Sequence, residues 1–184
     1  MTDGSDDLGS AAAQEAAQEA ALNAVLARLG IVVTRVAHPP MHSVEDSRRL
    51  RGDMPGLHIK NMFLKDKKGA LLLVTCLEDR RFRIAVLEKH LGLRRLSFAA
   101  PDLLARHLAV RPGAVTPLAV INDRAQSVRL VLDTALRDAD IVNCHPLHNR
   151  ATVALSSTDL LRLFDDTGHA PDWVDFDALE LPGL

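Results

Sequence analysis

Two apolar segments joined by a short polar link place the strongest constraint on what this chain can fold into. Residues 58–65 (HIKNMFLK) and 70–77 (ALLLVTCL) flank the sequence DKKG at 66–69. Strand-length apolar runs separated by a few polar residues that include Gly are typical of a β-hairpin. We therefore predict an antiparallel pair of strands at this point, and with it a sheet.

Helix and strand patterns alternate along the rest of the chain. The further predicted strands lie at 31–37, 94–98, 118–123, 127–133, 141–144 and 152–156. The predicted helices lie at 11–30, at 43–50, at 83–92, at 99–110 and, after a capping box that begins at Ser156, at 158–168. Because hairpins dominate, we expect an α+β fold: one domain whose mixed, mainly antiparallel sheet of about seven strands is flanked by four or five helices.

The two ends of the chain differ from its body. Residues 1–10 (MTDGSDDLGS) are small and acidic, so we expect them to be disordered, with the domain spanning 11–184. They lack the apolar region of a secretory signal, and no apolar run approaches the roughly 20 residues that span a bilayer. The acidic tail after His169 carries Trp173 and Phe176 as candidate anchors onto the body. The sequence thus predicts a soluble, cytoplasmic protein with no membrane partner.

The formal net charge of −2 conceals a strong asymmetry. Residues 31–158 carry 20 Lys and Arg against 12 Asp and Glu, whereas 1–30 and 159–184 together carry 2 against 12. The basic residues cluster at 48–51, 65–68, 80–83 and 94–95. A polyanion such as RNA would be attracted to this basic body, although each cluster could equally be a solvated face. With five Phe, one Trp and no Tyr, contacts to RNA would be mainly to phosphates and one terminal nucleotide.

Lys60 stands inside the apolar stretch GLHIKNMFLKD at 56–66. In a strand it shares one face with His58 and Met62, while Asn61 points to the other face. One interpretation is a lysine at the sheet edge whose ammonium reaches water. The other is a cation at the mouth of a pocket, where it holds an anionic or hydroxyl-bearing ligand.

The segment Gly113-Ala-Val-Thr-Pro117 is a second candidate. Gly can turn backbone amide groups towards a ligand, and Pro stiffens the far end of the loop. Such a loop can present N–H groups to a developing oxyanion or hold a water against a carbonyl. A plain turn is the alternative.

The third candidate is the segment from Cys144 to Asn149 (CHPLHN). Two histidines beside a cysteine suggest zinc, but a structural zinc site needs four ligands at regular spacings, and neither His38 nor His42 completes a known pattern. We therefore predict no metal. His145 at a strand end is a better candidate for hydrogen bonding to a ligand, with a buried core histidine as the alternative.

Several common catalytic signatures are absent. The sequence contains no Walker loop, no G-x-G-x-x-G, no G-x-S-x-G and no H-E-x-x-H. Cys76 and Cys144 lie in apolar runs and are expected to be reduced, buried thiols. Cys144 as a nucleophile is the weaker alternative, because no cysteine-enzyme signature surrounds it.

Taken in order, four short motifs carry a resemblance. They are H-x-K-N-x-F-L-K-D, P-G-A-V-T-P-x-x-x-I-N-D, V-L-D at 131–133 and N-x-H-P-L-x-N-x-x-T. The resemblance runs from about His38 to Gly168 and continues into TGHAP at 167–171. In this series the chain resembles the YbaK/prolyl-tRNA-synthetase-associated editing domain family. Within it, the chain is most similar to the free-standing alanyl-tRNA(Pro) deacylases.

The resemblance implies an activity and a set of site residues. Family members hydrolyse the ester that joins a wrong amino acid to the 3′-terminal adenosine of a tRNA, and they use the 2′-hydroxyl or a bound water, without a cofactor or a protein nucleophile. The implied catalytic residues are Lys60 at the adenosine end, Gly113 beside the reacting carbonyl or water, and His145 in the pocket wall. The implied substrate-binding residues are Asn61, Ala114, Val115, Thr116, Pro117 and Asn149.

The implied partners are the acceptor stem and 3′ end of tRNA(Pro), with prolyl-tRNA synthetase as a candidate protein partner. Prolyl-tRNA synthetase cannot easily exclude the smaller alanine, because a missing methylene is worth only about 1–3 kcal/mol. A second, smaller pocket would admit alanine and reject proline. We expect the ammonium of Lys60 and the turn at 113–117 to converge on this pocket. The alternatives are a non-catalytic tRNA- or synthetase-binding module, a deacylase for another small aminoacyl-tRNA, and a metal-dependent hydrolase built on Cys144, His145 and His148.

Overall fold

A computed structural model of the chain describes residues 4–40 and 54–179. Its strands are β1 (Thr34–Ala37), β2 (Leu57–Lys65), β3 (Leu71–Leu77), β4 (Ser97–Phe98), β5 (Val128–Asp133), β6 (Val142–Cys144), β7 (Ala151–Leu155) and β8 (Asp172–Val174). Its α-helices are α1 (Gly4–Arg28), α2 (Ile84–His90), α3 (Pro101–Leu108) and α4 (Ser157–Thr167). Short 3-10 helices lie at Pro117–Asn122, Thr134–Leu136 and Asp177–Leu179. The predicted short helix beginning at Ser43 lies outside the described residues.

The strands form one mixed sheet in the order β1-β7-β6-β2-β3-β5-β8, with β4 added to β2. The predicted hairpin is confirmed, because β2 and β3 pair antiparallel with Leu64 opposite Leu72. The α+β class and the mixed sheet are confirmed as well. Parallel pairs are more numerous than predicted: β2–β6, β3–β5 and β5–β8 are parallel, against four antiparallel pairs. Parallel neighbours need long crossovers, which α2 and α3 supply between β3 and β5.

Two hydrophobic cores cover the two faces of the central strands. Successive residues of β3 alternate between them, so this strand reads as a continuous apolar run rather than an alternating one. The first core includes residues of α1, α3 and α4, among them Leu22, Leu73, Leu104, Leu132 and Leu163. The second core includes α2 and the C-terminal segment, among them Leu72, Val74, Leu87, Val131 and Phe176. The predicted anchors are thereby placed: Phe176 is fully buried and Trp173 packs against the first core.

Helix α1 begins at Gly4, inside the segment that we predicted to be disordered. The disorder that we predicted for residues 1–10 stays a prediction. Leu22 and Leu26 bury the apolar side of this helix in the first core. None of the helices in the described part of the chain is long and apolar enough to cross a bilayer.

The run at 118–123 forms a 3-10 helix rather than the predicted strand. Thr116 caps this helix by accepting a hydrogen bond from the backbone N–H of Leu118, and Pro117 occupies its first turn. A cap followed by Pro starts a helix, and a short apolar run alone does not distinguish a strand from a buried helical segment. By contrast, the cap at Ser156 is confirmed, since its hydroxyl accepts from the N–H of Asp159 at 3.0 Å.

On one side of strand β2, β3 pairs with residues 59–65. On the other side, β6 pairs with its first two residues, Leu57 and His58, and β4 pairs with its last two, Leu64 and Lys65. Between β6 and β4, residues 59–63 of β2 have no partner strand on that side among the described residues. The gap in the sheet lies beside Asn61 and accommodates side chains and loops instead of a ladder.

Gly56 sits at the entrance to this gap and should tolerate no side chain. Its φ is +98°, and an added Cβ would lie 2.4 Å from Cγ2 of Ile141. Gly69 in the hairpin turn has a similar φ of +92° with open space around it, which makes it a matched control.

We expect Gly69→Ala to lower the free energy of unfolding by about 1–2 kcal/mol from backbone strain. Gly56→Ala should cost a further ~1–3 kcal/mol from overpacking, as measured by urea denaturation. Equal losses in the two variants would contradict the close approach.

Candidate functional site

A small cavity of about 30 Å³ opens at the gap in the sheet. A volume of this size accommodates one or two groups as large as a water molecule. The residues that line it come from β2, from β6 and from the β6–β7 region, and are His58, Ile59, Asn61, Asn143, Cys144, His145 and Thr152. A larger open groove lies beyond Gly56, but Asp138 and Asp140 line it, which suits an anionic ligand poorly.

Asn61 connects β2 to the segment at 113–117. Its Nδ2 donates to the carbonyl oxygen of Val115 at 2.9 Å, and its Oδ1 accepts from the hydroxyl of Thr75 at 2.8 Å. Both ends of the amide are therefore fixed, and the segment carrying Gly113 is held against the open side of β2. The structure thus brings together two of the predicted substrate-binding residues, Asn61 and Val115.

Asn143 is the most unusual group in the cavity wall. It lies in β6, is 5% exposed, and donates its Nδ2 to the carbonyl oxygens of Pro55 at 2.9 Å and Leu57 at 3.3 Å. Its Oδ1 is buried and has no hydrogen-bond partner among the described residues. A buried acceptor without a donor costs about 1–3 kcal/mol, so this oxygen is suited to a ligand that carries a hydrogen-bond donor.

His145 presents a second acceptor to the same cavity. Its Nδ1 lies 3.2 Å from the carbonyl oxygen of Ala151, which can only accept, so the ring proton resides on Nδ1. Burial lowers the pKa of this imidazole below its ordinary value of 6.5 and keeps the ring neutral at pH 7. The Nε2 of a neutral ring protonated at Nδ1 carries a lone pair, and it can therefore accept a proton or a hydrogen bond.

The connection between β6 and β7 is fixed by its neighbours. Nε2 of His148 lies 2.9 Å from Glu19 of α1, and the backbone N–H of Arg150 donates to the other ring nitrogen at 3.1 Å. Glu19 also accepts from Arg35, and this hydrogen bond is the main reason that the pKa of Glu19 is lowered. Helix α1 therefore holds the loop that carries His145, which gives the N-terminal helix a role that its sequence alone did not suggest.

Cys144 does not have the properties of a nucleophile or a metal ligand. Burial raises the pKa of its thiol to about 12, so it stays protonated at neutral pH. Its neighbour His148 is engaged by Glu19. Within residues 4–40 and 54–179, no cluster of three or more His, Cys, Asp or Glu side chains is arranged to hold a metal ion.

Lys60 lies on the opposite face of β2 from Asn61. Its ammonium donates to the carbonyl oxygen of Arg80 and lies 5.8 Å from the centre of the Phe82 ring, on the side of the second core. The guanidinium of Arg80 is itself held at 2.8 Å by the fully buried carboxylate of Asp133. The expectation that Lys60 and the 113–117 turn converge on one pocket is therefore wrong, because adjacent residues of a strand face opposite ways.

The segment 113–117 is rigid and largely turned inward. Gly113 adopts a φ of +88°, a conformation that favours glycine, and the backbone N–H of Ala114 donates to Arg111 at 3.0 Å. Ala114, Thr116 and Pro117 are buried, and Val115 is half-buried. The hydrogen bond from Asn61, which lines the cavity, to Val115 holds this segment beside the cavity. Asn149 lies on the β6–β7 connection, four residues after His145, and is not in the cavity wall.

Sequence reasoning placed Asn61 and His145 among the site residues but gave no role to Asn143 and Thr152, although these two residues begin and end the motif N-x-H-P-L-x-N-x-x-T. A further signal for Asn143 was present, since an Asn between Val142 and Cys144 interrupts an apolar strand where Asn is disfavoured. The place of Thr152 depends on a long-range contact. Its hydroxyl lies 3.0 Å from Nε2 of His38, a contact between residues that are far apart in the sequence.

Comparison with known proteins identifies the family of this chain. The aminoacyl-tRNA editing domain matches residues 38–163, which include every residue of the cavity wall. The "Prolyl-tRNA synthetase associated domain-containing protein 1" of Danio rerio is 39% identical over 85% of this chain and 86% of its own. The "Prolyl-tRNA editing protein ProX" of Acetoanaerobium sticklandii is 34% identical over 88% of this chain and 96% of its own.

A solved structure shares the fold. The crystal structure of a proposed trans-editing enzyme for prolyl-tRNA synthetase superimposes with a TM-score of 0.65 over 86% of this chain and 96% of that one, at 18% identity. At this level of identity the likeness concerns the fold. It agrees with the α+β architecture described above.

The neutral state of His145 makes stability depend on pH. Because its folded pKa is lowered, the unfolded chain binds a proton at this position first as pH falls below about 6.5. As pH falls from about 7.5 to about 5.5, the unfolding free energy of wild type should decrease more steeply than that of His145→Asn. The difference between the two slopes should reach up to ~1.4 kcal/mol per pH unit. Urea denaturation at both pH values measures this, with the exposed His90→Asn as the control that should follow wild type. Identical pH slopes for wild type and His145→Asn would contradict the lowered pKa.

Proposed function

The chain belongs to the aminoacyl-tRNA editing domain family, and on that premise we propose that it is a hydrolase that deacylates mischarged tRNA(Pro), with Ala-tRNA(Pro) as its main substrate. Its partners are then the acceptor stem and 3′ end of tRNA(Pro), together with prolyl-tRNA synthetase, which the names of its relatives mention. Its place of action is the cytoplasm. The comparisons support the editing family, and the amino acid and the mechanism are our proposal.

One observation carries the choice of substrate. Asn143 and His145, which carry hydrogen-bond acceptors at Oδ1 and Nε2, line a cavity with room for only one or two small groups. An aminoacyl ester presents an ammonium group, a small side chain and a neighbouring ribose hydroxyl, and the first and last of these are donors. We assign the ammonium to Asn143 and the hydroxyl or a water to His145.

The reaction needs no protein nucleophile. A water oxygen attacks the ester carbonyl carbon, and the bond from that carbon to the 3′ oxygen of the ribose breaks. One proton of the water passes to the departing oxygen, directly or through the 2′-hydroxyl, so that the products are a free amino acid and an uncharged tRNA. In our proposal His145 orients the attacking water or the 2′-hydroxyl, and the backbone at Gly113 stands beside the carbonyl oxygen.

The size of the cavity supplies the selectivity. With the ammonium bound at Asn143, a space of about 30 Å³ leaves room for one further group of the size of a methyl, and the hydroxyl or water beside His145 then lies at the mouth of the cavity. A proline ring would have to displace the walls at Ile59 and Thr152, and overpacking of this kind costs about 1–3 kcal/mol. That penalty corresponds to roughly 5–150-fold discrimination against the correct aminoacyl-tRNA.

Lys60 keeps a place in the proposal on the other face of β2. Its ammonium is half-buried and has three N–H donors, of which the Arg80 carbonyl takes one. A phosphate or ribose oxygen of the terminal adenosine can take another. Lys60 would then bind the nucleotide from the side opposite Asn61, rather than share a pocket with the 113–117 segment.

The direct test is deacylation by the purified protein. We expect hydrolysis of Ala-tRNA(Pro) with little hydrolysis of Pro-tRNA(Pro). Asn143→Leu should lower kcat/KM roughly 10–100-fold by removing the ammonium acceptor. It should also lower the urea midpoint, because the carbonyl oxygens of Pro55 and Leu57 lose the Nδ2 donor, so activity is measured per folded protein. The same assay is run on other small aminoacyl-tRNAs and, for Ala-tRNA(Pro), in the presence of a metal chelator.

Several outcomes would reject the proposal. Binding of tRNA without hydrolysis would favour a non-catalytic module, and loss of activity in the chelator would favour a metal-dependent hydrolase. A faster reaction on another small aminoacyl ester would change the assigned substrate. Full activity in Asn143→Leu would remove Asn143 from the site.

Lys60→Met tests the nucleotide contact separately. Methionine keeps the apolar stem and removes the charge, so packing against the second core should survive. We expect KM for Ala-tRNA(Pro) to rise roughly 10-fold or more, the value of one hydrogen bond to a charged group, with a smaller effect on kcat. A variant that loses stability but binds and hydrolyses like wild type would show that Lys60 serves only the Arg80 contact.

A further inference from the structure

Two basic clusters that are far apart in the sequence meet beside β4. Lys65 of β2 pairs with Ser97, and the backbone N–H of Lys67 donates to the carbonyl oxygen of Arg94 at 2.9 Å. We call this surface the β4 patch. It consists of Lys65, Lys67, Lys68, Arg94, Arg95 and Phe98, and all six residues are exposed.

The cations of the β4 patch are not neutralised by ion pairs. None of the five basic side chains forms a salt bridge with a carboxylate in the described part of the chain. Two nearby carboxylates are engaged by backbone groups: Asp66 accepts from Lys68 and Ala70 at 2.8 Å each, and Glu88 accepts from Leu96 at 2.8 Å. The patch therefore keeps a net positive charge that faces solvent.

Phe98 is the feature that distinguishes this surface from an ordinary solvated face. It is 65% exposed and pairs with Leu64 of β2, which is fully buried. Among the described residues, the other large exposed apolar side chains are the aliphatic Val32 and Val36. An exposed ring at the same edge of the sheet as cations that form no ion pair with a described carboxylate can bind a base and its phosphates together.

We propose that the β4 patch binds the single-stranded 3′ end of the tRNA, with Phe98 stacked on one unpaired base and the cations on the flanking phosphates. The identity of the RNA rests on the proposed function. Phe98 pairs with Leu64, which lies on the same face of β2 as Lys60 and four residues from it, a distance of about 13 Å. At about 3.4 Å per nucleotide in a stacked strand, this corresponds to roughly four nucleotides. With the terminal adenosine held by Lys60, the unpaired nucleotides before it reach Phe98.

The chemistry favours RNA over a protein partner. A protein interface would need a broad apolar centre with few charges, whereas the β4 patch has one apolar side chain and five cations. Phosphates spaced along a strand match cations spaced along the edge of a sheet. Stacking on a single ring is tolerant of sequence, so the patch would contribute affinity and position rather than selection among tRNAs.

The first test is salt-dependent binding of an uncharged tRNA(Pro) transcript, followed by fluorescence anisotropy. The variant Lys67→Gln/Arg94→Gln removes two charges from the patch. The control Arg129→Gln/Arg162→Gln removes two charges from other faces, where Asp172 and Asp159 pair with them. We expect the patch variant to reduce the slope of log affinity against log salt by about 1.4, and the control to leave it near wild type. Equal slopes in both variants would overturn the proposal.

The second test isolates the ring. Phe98→Leu keeps an apolar side chain at an exposed position, so the fold should be retained. On the full transcript we expect roughly 5–150-fold weaker binding, the value of about 1–3 kcal/mol for one stacked base. On a transcript that lacks its last four nucleotides, the variant and wild type should bind alike. An unchanged affinity on the full transcript would remove the stacking role.

These results can be separated from those on the proposed function. If the protein binds tRNA through the β4 patch but deacylates no aminoacyl-tRNA, the proposed reaction is rejected and this inference is kept. If the protein deacylates its substrate and the patch variants bind and react like wild type, this inference is rejected and the proposed reaction is kept. Patch variants that lose prolyl-tRNA synthetase but keep tRNA would identify a protein interface and overturn the inference.

Discussion

The interrupted pairing of β2 is the constraint on which the rest of the structure depends. A central strand normally satisfies its backbone groups on both sides, but here β6 and β4 each cover only two residues of one side. The space between them is filled by the amide of Asn61, by the segment that ends at Val115, and by a small cavity. A continuous ladder on that side would have closed the site. The missing pairs in the sheet therefore create the room for a ligand.

Much of this arrangement was accessible from the sequence because it depends on local signals. The β2–β3 hairpin follows from apolar runs around a polar turn, and α4 follows from the cap at Ser156. The family followed from motifs in series. Where local signals conflict, the sequence was ambiguous: the run after Thr116 is apolar enough for a strand, and only the cap and Pro117 together make it helical. The parallel strand pairs could not be predicted from the sequence, because they join segments that are distant in the chain.

The site itself was half predictable for a geometric reason. Motif reasoning groups Lys60 with Asn61 because they are adjacent, yet a strand sends adjacent side chains to opposite faces. Only one of them could meet the 113–117 segment, and the pairing with Val115 decides in favour of Asn61. Asn143 belongs to the last of the four motifs but was given no site role, for the opposite reason. It is distant in sequence from its partners at 55 and 57, and the parallel contact of β6 with β2 alone brings them together.

The charge asymmetry of the chain has a structural explanation. The acidic ends fold back on the basic body, where their carboxylates pair with arginines, as in Arg35–Glu19, Arg80–Asp177, Arg129–Asp172 and Arg150–Glu15. These pairs neutralise cations over several faces but leave the β4 patch unpaired. Positive potential therefore remains at the β4 patch after the acidic ends have neutralised these arginines. A polyanion responds to this local potential rather than to the net charge, so a chain whose formal charge is −2 can still attract RNA to one defined surface.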